Sequence, residues 1–271
     1  MRGFTSKQTS LENILAYECP DIVTINETNL RGRRKINLKN YTSFSKNSEK
    51  KSHGISTSFS NHLRQNVVKV SQDEGGVDEY MVSRLESVIP ALNVINNYGC
   101  IENRTDNDDI LESWTRIKKE LSMIEKRGEA VLIIGDINRS VGNDEYGVKN
   151  NKSKISYGGG LIRDLVIGGD YFILNNLDLA EGGPWTREDP SDGSLSCLDL
   201  AIGSTNLKES VVKVKVDERK EFTPYRPIIM RGVRSLRHTD HYFLILELRM
   251  KSKKTTQKPE VMWNTSKPGG S

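Results

Sequence analysis

The chain has 271 residues, room for one large domain or two small ones, with 35% hydrophobic and 28% charged residues. No stretch approaches the ~20 consecutive apolar residues of a membrane-spanning helix, and Met1–Ser10 lacks the apolar run of a secretory leader, so no membrane partner is expected. Forty Lys and Arg against 36 Asp and Glu leave a net charge of +4, a mild basicity compatible with a polyanionic partner without demonstrating one.

The three cysteines, Cys19, Cys100 and Cys197, are far apart and none belongs to a CxxC pair. A disulfide framework or a thiolate zinc site is therefore not indicated. A reducing, intracellular compartment is expected, with each cysteine a small buried side chain.

In chain order, the first signal is a helix in which Leu11, Ile14 and Leu15 share a face. Pro20 ends it, and a strand follows over Asp21 to Thr28. A basic loop comes next, with Arg31, Arg33, Arg34, Lys35 and Lys39. Short strands are expected in YTSFSKN, HGISTSFSN and QNVVKVSQ, and two more in EYMVSRLES and IPALNVINNYG. The clearest helix opens on aspartates after Thr105. It carries Ile110, Trp114, Ile117, Leu121 and Ile124 at helical spacing and stops near Gly128.

Ala130 to Ile134 then reads as a buried strand that ends abruptly in Gly-Asp-Ile-Asn. Positions two apart on a strand point to the same side, so Asp136 and Asn138 are expected to face the same space at its end. GGGLIRDLVIGGD predicts a short helix and YFILNN a strand. In SLSCLDLAIGS, Leu198, Leu200 and Ile202 alternate on one face, which puts Asp199 on the other. VVKVKVDER alternates, and TDHYFLILELRM is a last long strand. Residues 1–250 read as one domain and 251–271 as a flexible polar tail. Eight to eleven strands and three helices without regular alternation predict an α/β fold with sheets packed face to face and helices outside.

Four polar groups interrupt these apolar strands: Glu27, the pair Asp136 and Asn138, Asp199, and Asp240 with His241. Taken singly, each has a plain structural reading. Gly-Asp after a strand is commonly a turn, Glu27 a solvated strand end, Asp199 a surface residue, and Asp-His a loop contact. The basic loop after Glu27 reads equally as a solvated surface. Trp185 is expected to pack, with stacking on a substrate, as for Tyr225, the other reading.

The ordered set ET, GDxN, SxxD and DH resembles the endonuclease/exonuclease/phosphatase superfamily. The flanking segments RGFTSKQTSLENILAYECPDIVTINET, GGGLIRDLVIGGDYFILNN, GPWTREDPSDGSLSCLDLAIGS and TDHYFLILEL are similar to the endonuclease domain of non-LTR retrotransposons, over about residues 2 to 249. This resemblance implies a four-layered α/β sandwich of two packed mixed sheets with helices outside. It also implies hydrolysis of phosphodiester bonds in DNA with Mg²⁺ or Mn²⁺.

Carried over by position, Glu27 and Asp240 hold the metal. Asp136 orients or deprotonates the attacking water, and Asn138 holds that water or a phosphate oxygen. Asp199 keeps His241 oriented toward the scissile phosphate. Tyr98 contacts phosphate and Ser196 lies near the site. Arg31, Arg33, Arg34 and Arg237 are placed to meet the nucleic-acid backbone. A reverse-transcriptase domain or protein is the implied partner, and the nucleus the implied location for work on genomic DNA.

The residue types suit that chemistry on their own terms. A hard cation on carboxylates neutralises charge on phosphate oxygens, a carboxylate takes a proton from water, and imidazole or amide donates to the developing oxyanion. Members of the family place a strand ending in Asn immediately before the segment that matches Arg2-Gly3-Phe4. The sequence opens at Met1 without it, so an open sheet edge or an apolar gap is expected beside the first strand.

Overall fold

The structure is a computed structural model that describes residues 4–48, 53–148, 154–183, 185–189, 192–217, 225–230, 233–238 and 241–253; of 225–230 and 233–238 it describes the backbone only. In chain order the elements are α1 (Gln8–Glu18), β1 (Ile22–Ile25), β2 (Tyr41–Lys46), β3 (Ile55–Ser60), β4 (Val67–Gln72), β5 (Glu79–Leu85), β6 (Val88–Ile89) and β7 (Leu92–Tyr98). After them come α2 (Asn107–Glu125), β8 (Ala130–Asp136), α3 (Tyr157–Ile167), β9 (Tyr171–Ile173), β10 (Ala180–Glu181), β11 (Arg187–Glu188), β12 (Leu195–Ser196) and β13 (Asp199–Ser204). The last are β14 (Val211–Val216), β15 (Tyr225–Met230), β16 (Val233–His238), β17 (Leu244–Leu248) and β18 (Lys251–Ser252).

Six strands form the central sheet in the order β4-β5-β7-β8-β13-β9. The β7–β8 pair is parallel, because the chain crosses between them through α2, and the other pairs are antiparallel. The apolar stripe of α2 is buried as its periodicity predicts: Ile110, Trp114, Ile117, Leu121 and Ile124 are each at most 4% exposed. Asp106 caps the helix, its carboxylate accepting from the Asp108 N–H. Most of that stripe meets Ile95, Val131, Ile133, Leu200 and Ile202 of the sheet in one cluster that also takes Ile162 of α3. Each such side chain contributes about 1.5–3 kcal/mol by leaving water.

The opposite face of the central sheet is covered by a second layer of strands, with Phe59, Val94, Leu132, Ala201 and Val214 at its centre. That layer is in two halves, β1-β3-β2 and β10-β14-β17. Outside it lies α1, whose Leu11 and Leu15 pack with Ile25 and, in the same cluster, Val23 and Phe243. The layers therefore run α2/α3, sheet, split sheet, α1.

Between the halves lies a cleft of about 710 Å³. Residues of β1 form one wall and residues of β17 the other, Leu92, Val94, Leu132 and Ile134 the floor, and α1 contributes Leu11, Ile14 and Leu15. Among the described residues, β1 pairs only with β3 and β17 only with β14.

Several expectations change. The first strand is four residues long rather than eight, because the chain turns at Glu27, where φ is +54°. The last is five residues long, and the pairing continues through β18, which bonds β6 two residues into the segment read as tail. The hairpin β15–β16 carries no alternating signal and was not expected. Cys19 is exposed rather than buried, since it caps α1 in the left-handed conformation, whereas Cys100 and Cys197 are buried. Residues 254–271 lie outside the described residues.

Candidate active site

The apolar run of β8 brings Asp136 to the end of the central sheet, 7% exposed. The residue before it must be glycine. Gly135 has φ +148°, and a Cβ there would collide with the Asn97 carbonyl of β7. This close approach lets the Asp136 N–H reach Asn26 Oδ1 at 3.2 Å, while Asn26 Nδ2 donates to Asn96 Oδ1 at 3.0 Å and to the Asn97 carbonyl at 3.2 Å.

Antiparallel pairing sets Asp199 of β13 directly opposite Asp136. Strand alternation sends Leu200 and Ile202 to the helix side, so Asp199 and Ala201 face the split sheet, where Asp199 lines the cleft. His241, which bridges to Arg187 just ahead of β17, stands between the two carboxylates. Its Nδ1 is 2.8 Å from Asp199 Oδ2 and its Nε2 3.8 Å from Asp136 Oδ2. The first is a hydrogen bond and the second an ion-pair contact.

Thr186, fully buried, holds this arrangement from beneath. Its Oγ1 accepts from the N–H groups of Leu198 and Asp199 at 3.0 and 2.9 Å, and its carbonyl accepts from the Tyr242 N–H at 2.8 Å.

The charges shift one another. Burial works against a charged imidazole, but Asp199 and then Asp136 outweigh it and carry His241 up to about 9. Burial is also the main cause for Asp136, which is pushed up to about 7; His241 opposes the rise and Asp199 adds to it. The Cys197 thiol is raised to about 12, by burial first and by Asp199 second, so it is no ready nucleophile. Asp136 Oδ1 is buried and has no hydrogen-bond partner among the described residues.

The end of β1 supplies Glu27 to the same cleft. The Tyr98 hydroxyl, at the end of β7, donates to Glu27 Oε1 at 2.7 Å. Burial above all, then Glu27, raises the Tyr98 pKa, so the phenol keeps its proton.

Of the residues singled out from the sequence, Glu27, Asp136, Asp199 and His241 line one cleft, with Tyr98 bonded to the first. Asn138 does not share a strand with Asp136. The strand stops at Asp136, Asn138 turns at φ +53°, and its Nδ2 donates to the Gly99 carbonyl at 2.9 Å. Ser196 pairs with Arg187, the neighbour of His241, and its buried Oγ has no partner among the described residues. Arg31, Arg33 and Arg34 are exposed on the loop after Glu27, which Asn47 Nδ2 pins through the carbonyls of Gly32 and Arg34. Trp185 is half-buried. Asp240 lies outside the described residues, as do the side chains of Tyr225 and Arg237. The sequence reading overlooked Asn26 and Thr186. Asn26 carries a signal, a carboxamide beside Glu27 closing an apolar strand; Thr186 has none.

Asp136, Asp199 and His241 also place one ligand-type atom each within 4.8 Å of the others. Among the described residues, no helix is long and apolar enough to cross a membrane.

No protein-family model matches the chain, and no curated protein sequence does. Solved structures do. The 3′ phosphatase NExo from Neisseria, bound to product DNA hairpin, superposes with a TM-score of 0.63 at 17% identity over 91% of this chain and 96% of its own. The endonuclease domain of TRAS1, a telomere-specific non-LTR retrotransposon, gives 0.59 at 17% identity over 89% and 91%. A mannosyl-6-phosphatase from Bacteroides thetaiotaomicron gives 0.57 at 12% over 91% and 92%. At such identities the likeness establishes the fold. The chain thus has the α/β-sandwich fold of the endonuclease/exonuclease/phosphatase superfamily, whose members among its neighbours are nucleases and phosphatases. One of those neighbours is the endonuclease domain of a retrotransposon.

Proposed function

We propose that the chain is a divalent-metal-dependent phosphodiester hydrolase that nicks DNA, of the kind carried by non-LTR retrotransposons. The observation that carries this reading is the line Asp199–His241–Asp136 in the cleft, with His241 hydrogen-bonded on one side and in ion-pair contact on the other. The similarity of the flanking sequence segments, rather than the fold, favours a retrotransposon source and a DNA substrate.

The residues fit a hard cation. Glu27 and Asp136 are carboxylates lining one cleft, and the orphaned Asp136 Oδ1 lacks only a partner. Glu27, with Asp240 following from the resemblance, would hold Mg²⁺ or Mn²⁺, which supplies charge neutralisation at the phosphate when bound. His241 suits this role poorly, since an imidazole carried up to about 9 is protonated at neutral pH and has no lone pair to offer.

The protonated ring instead donates toward a phosphate oxygen, with Asp199 holding Nδ1 so that Nε2 points into the cleft. Asp136, raised toward neutrality by burial, is matched to accept a proton from the attacking water. Tyr98 fixes one oxygen of Glu27. Asn138 is placed by its Gly99 bond at the turn after Asp136. Arg31, Arg33 and Arg34 face solvent where a phosphate backbone would pass. With both cysteines of the core buried and no activated serine among the described residues, direct attack by water is the route the residues support.

The test is conversion of supercoiled plasmid to open circles with Mg²⁺, with Mn²⁺ and with EDTA, beside His241→Ala and a phosphomonoester substrate. Metal-dependent nicking lost in the variant supports the proposal. Turnover of the monoester alone would make the chain a phosphatase, and neither activity would leave a nucleic-acid-binding remnant.

A further inference from the structure

Glu27 sits in the left-handed region, φ +54°, and so does Asn29, at the same angle. Two such non-glycine residues around Thr28 are an uphill backbone that its surroundings must hold. Three hydrogen bonds do so. The Thr28 carbonyl accepts from the Phe4 N–H at 3.0 Å, the Thr28 N–H donates to the Gly54 carbonyl at 2.9 Å, and the Asn29 N–H donates to the His53 carbonyl at 2.9 Å. Two of the three come from one dipeptide, His53-Gly54, ahead of β3. Gly54 has φ +93°, and a Cβ there would stand 2.5 Å from Thr28 Oγ1, so only glycine lets the two segments close.

What holds the dipeptide is Glu79. This carboxylate is 4% exposed, and its Oε2 accepts from the Gly54 N–H at 2.7 Å. His53 Nδ1 stands 3.6 Å from the same oxygen, and Lys46 Nζ lies 3.8 Å from Oε1 while binding Asp73 at 2.6 Å. On its strand, Glu79 lies directly across from Tyr98. The Tyr98 ring packs edge-on against His53, with centroids 5.8 Å apart, and its hydroxyl grips Glu27. Both the backbone and the carboxylate of Glu27 are thus referred to one buried acid that does not line the cleft.

We infer that Glu79 is a positioning residue: through Gly54 and His53 it holds the turn that aims Glu27 into the cleft. This rests on the reading of Glu27 as a metal ligand given above. A buried carboxylate here costs desolvation, and a fold needing only a β5–β7 pair would do without it. Its fixed acceptor on the Gly54 N–H is what the turn requires.

The experiment compares Glu79→Ala with Glu79→Gln, which keeps an acceptor oxygen for Gly54, and with Glu27→Gln. Mn²⁺ affinity is measured by calorimetry, and amide hydrogen exchange on the metal-free proteins. The expected result for Glu79→Ala is an affinity about 10-fold or more weaker. Exchange at Thr28 and Asn29 should accelerate while β7 and β8 amides stay protected, and Glu79→Gln should restore most of both. Unchanged Mn²⁺ affinity, or an even loss of protection across the domain, would overturn the inference and leave Glu79 a structural residue. Glu27→Gln with undiminished Mn²⁺ affinity would instead strike at the reading of Glu27 itself, whatever Glu79 does.

Discussion

Replacing Asp199 by Asn keeps an oxygen near His241 Nδ1 and removes the charge that most raises this imidazole after burial has lowered it. His241 stands at about 9 against an ordinary 6.5. At about 1.4 kcal/mol per unit, the protonated ring contributes at most about 3 kcal/mol to folding. Because the folded value lies above the unfolded one, this contribution is fully present below pH 6.5 and is lost as pH rises through about 9.

A carboxylate within hydrogen-bond range accounts for roughly one to two units of such a shift, so at about 1.4 kcal/mol per unit the variant should lose about 1.5–3 kcal/mol at pH 6 and little above pH 9. At about 2–4 °C per kcal/mol for a domain of this size, the gap in Tm between the two proteins should close as pH rises. The chain has four histidines, so the His241 resonance can be assigned with His241→Gln and followed by NMR. Nicking should fall about 100-fold or more as the ring loses its charge and its orientation. A His241 midpoint that does not move in Asp199→Asn would refute the electrostatic account, and a Tm gap that widens with pH would reverse its sign.

Tyr98→Phe keeps the buried ring and its contact with His53 but deletes the hydroxyl on Glu27. Mg²⁺ affinity should drop about 10-fold with an unchanged circular dichroism spectrum, and equal affinities would remove the hydroxyl from the site. Arg139, 3% exposed, donates to Asp78 Oδ1 at 2.8 Å, lies 3.2 Å from Glu102 and also donates to the Cys100 carbonyl, tying the turn after Asn138 to α3 through Glu102 and the Gly158 N–H. Arg139→Met leaves Asp78 buried without its cation and should cost about 3–5 kcal/mol in urea unfolding. A loss below about 1 kcal/mol would mean that the network relaxes around the gap.

How much of this was legible depended on whether the cause was local. The α2 stripe was, since Ile110 to Ile124 keep one period and one face, and so was Asp199, placed by alternation against Leu200 and Ile202. Asp136 announced itself as a carboxylate ending an apolar run. What failed was the step from Asp136 to Asn138, where a two-residue rule was applied across a strand end. The sharp turn there is set by Gly99, Gly135 and the Asn97 carbonyl, contacts made from another strand. Glu79 and Arg139 carry no local signal, because nothing in one dimension shows that each will be sealed beside a partner 25 or more positions away. The joining of Glu27, Tyr98, Asp199 and His241 came only from the ordered resemblance, since each motif alone reads as a turn or a strand end.

The divided second layer sets a last expectation. The central strands β7 and β8 are flanked on both sides and carry side chains at or near 0% exposure, such as Val94, Ile95, Val131 and Ile133. Beside them, β1 and β17 each have a ladder partner on one side only among the described residues, and both line the same apolar cleft. Local opening follows from few ladder bonds and an unfilled apolar wall. Amides of β1 and β17 should therefore exchange well before those of β7 and β8, and a dye that binds exposed apolar surface should bind the native chain. If the two edge strands already exchange as slowly as β7 and β8, the halves are held together by something other than a ladder.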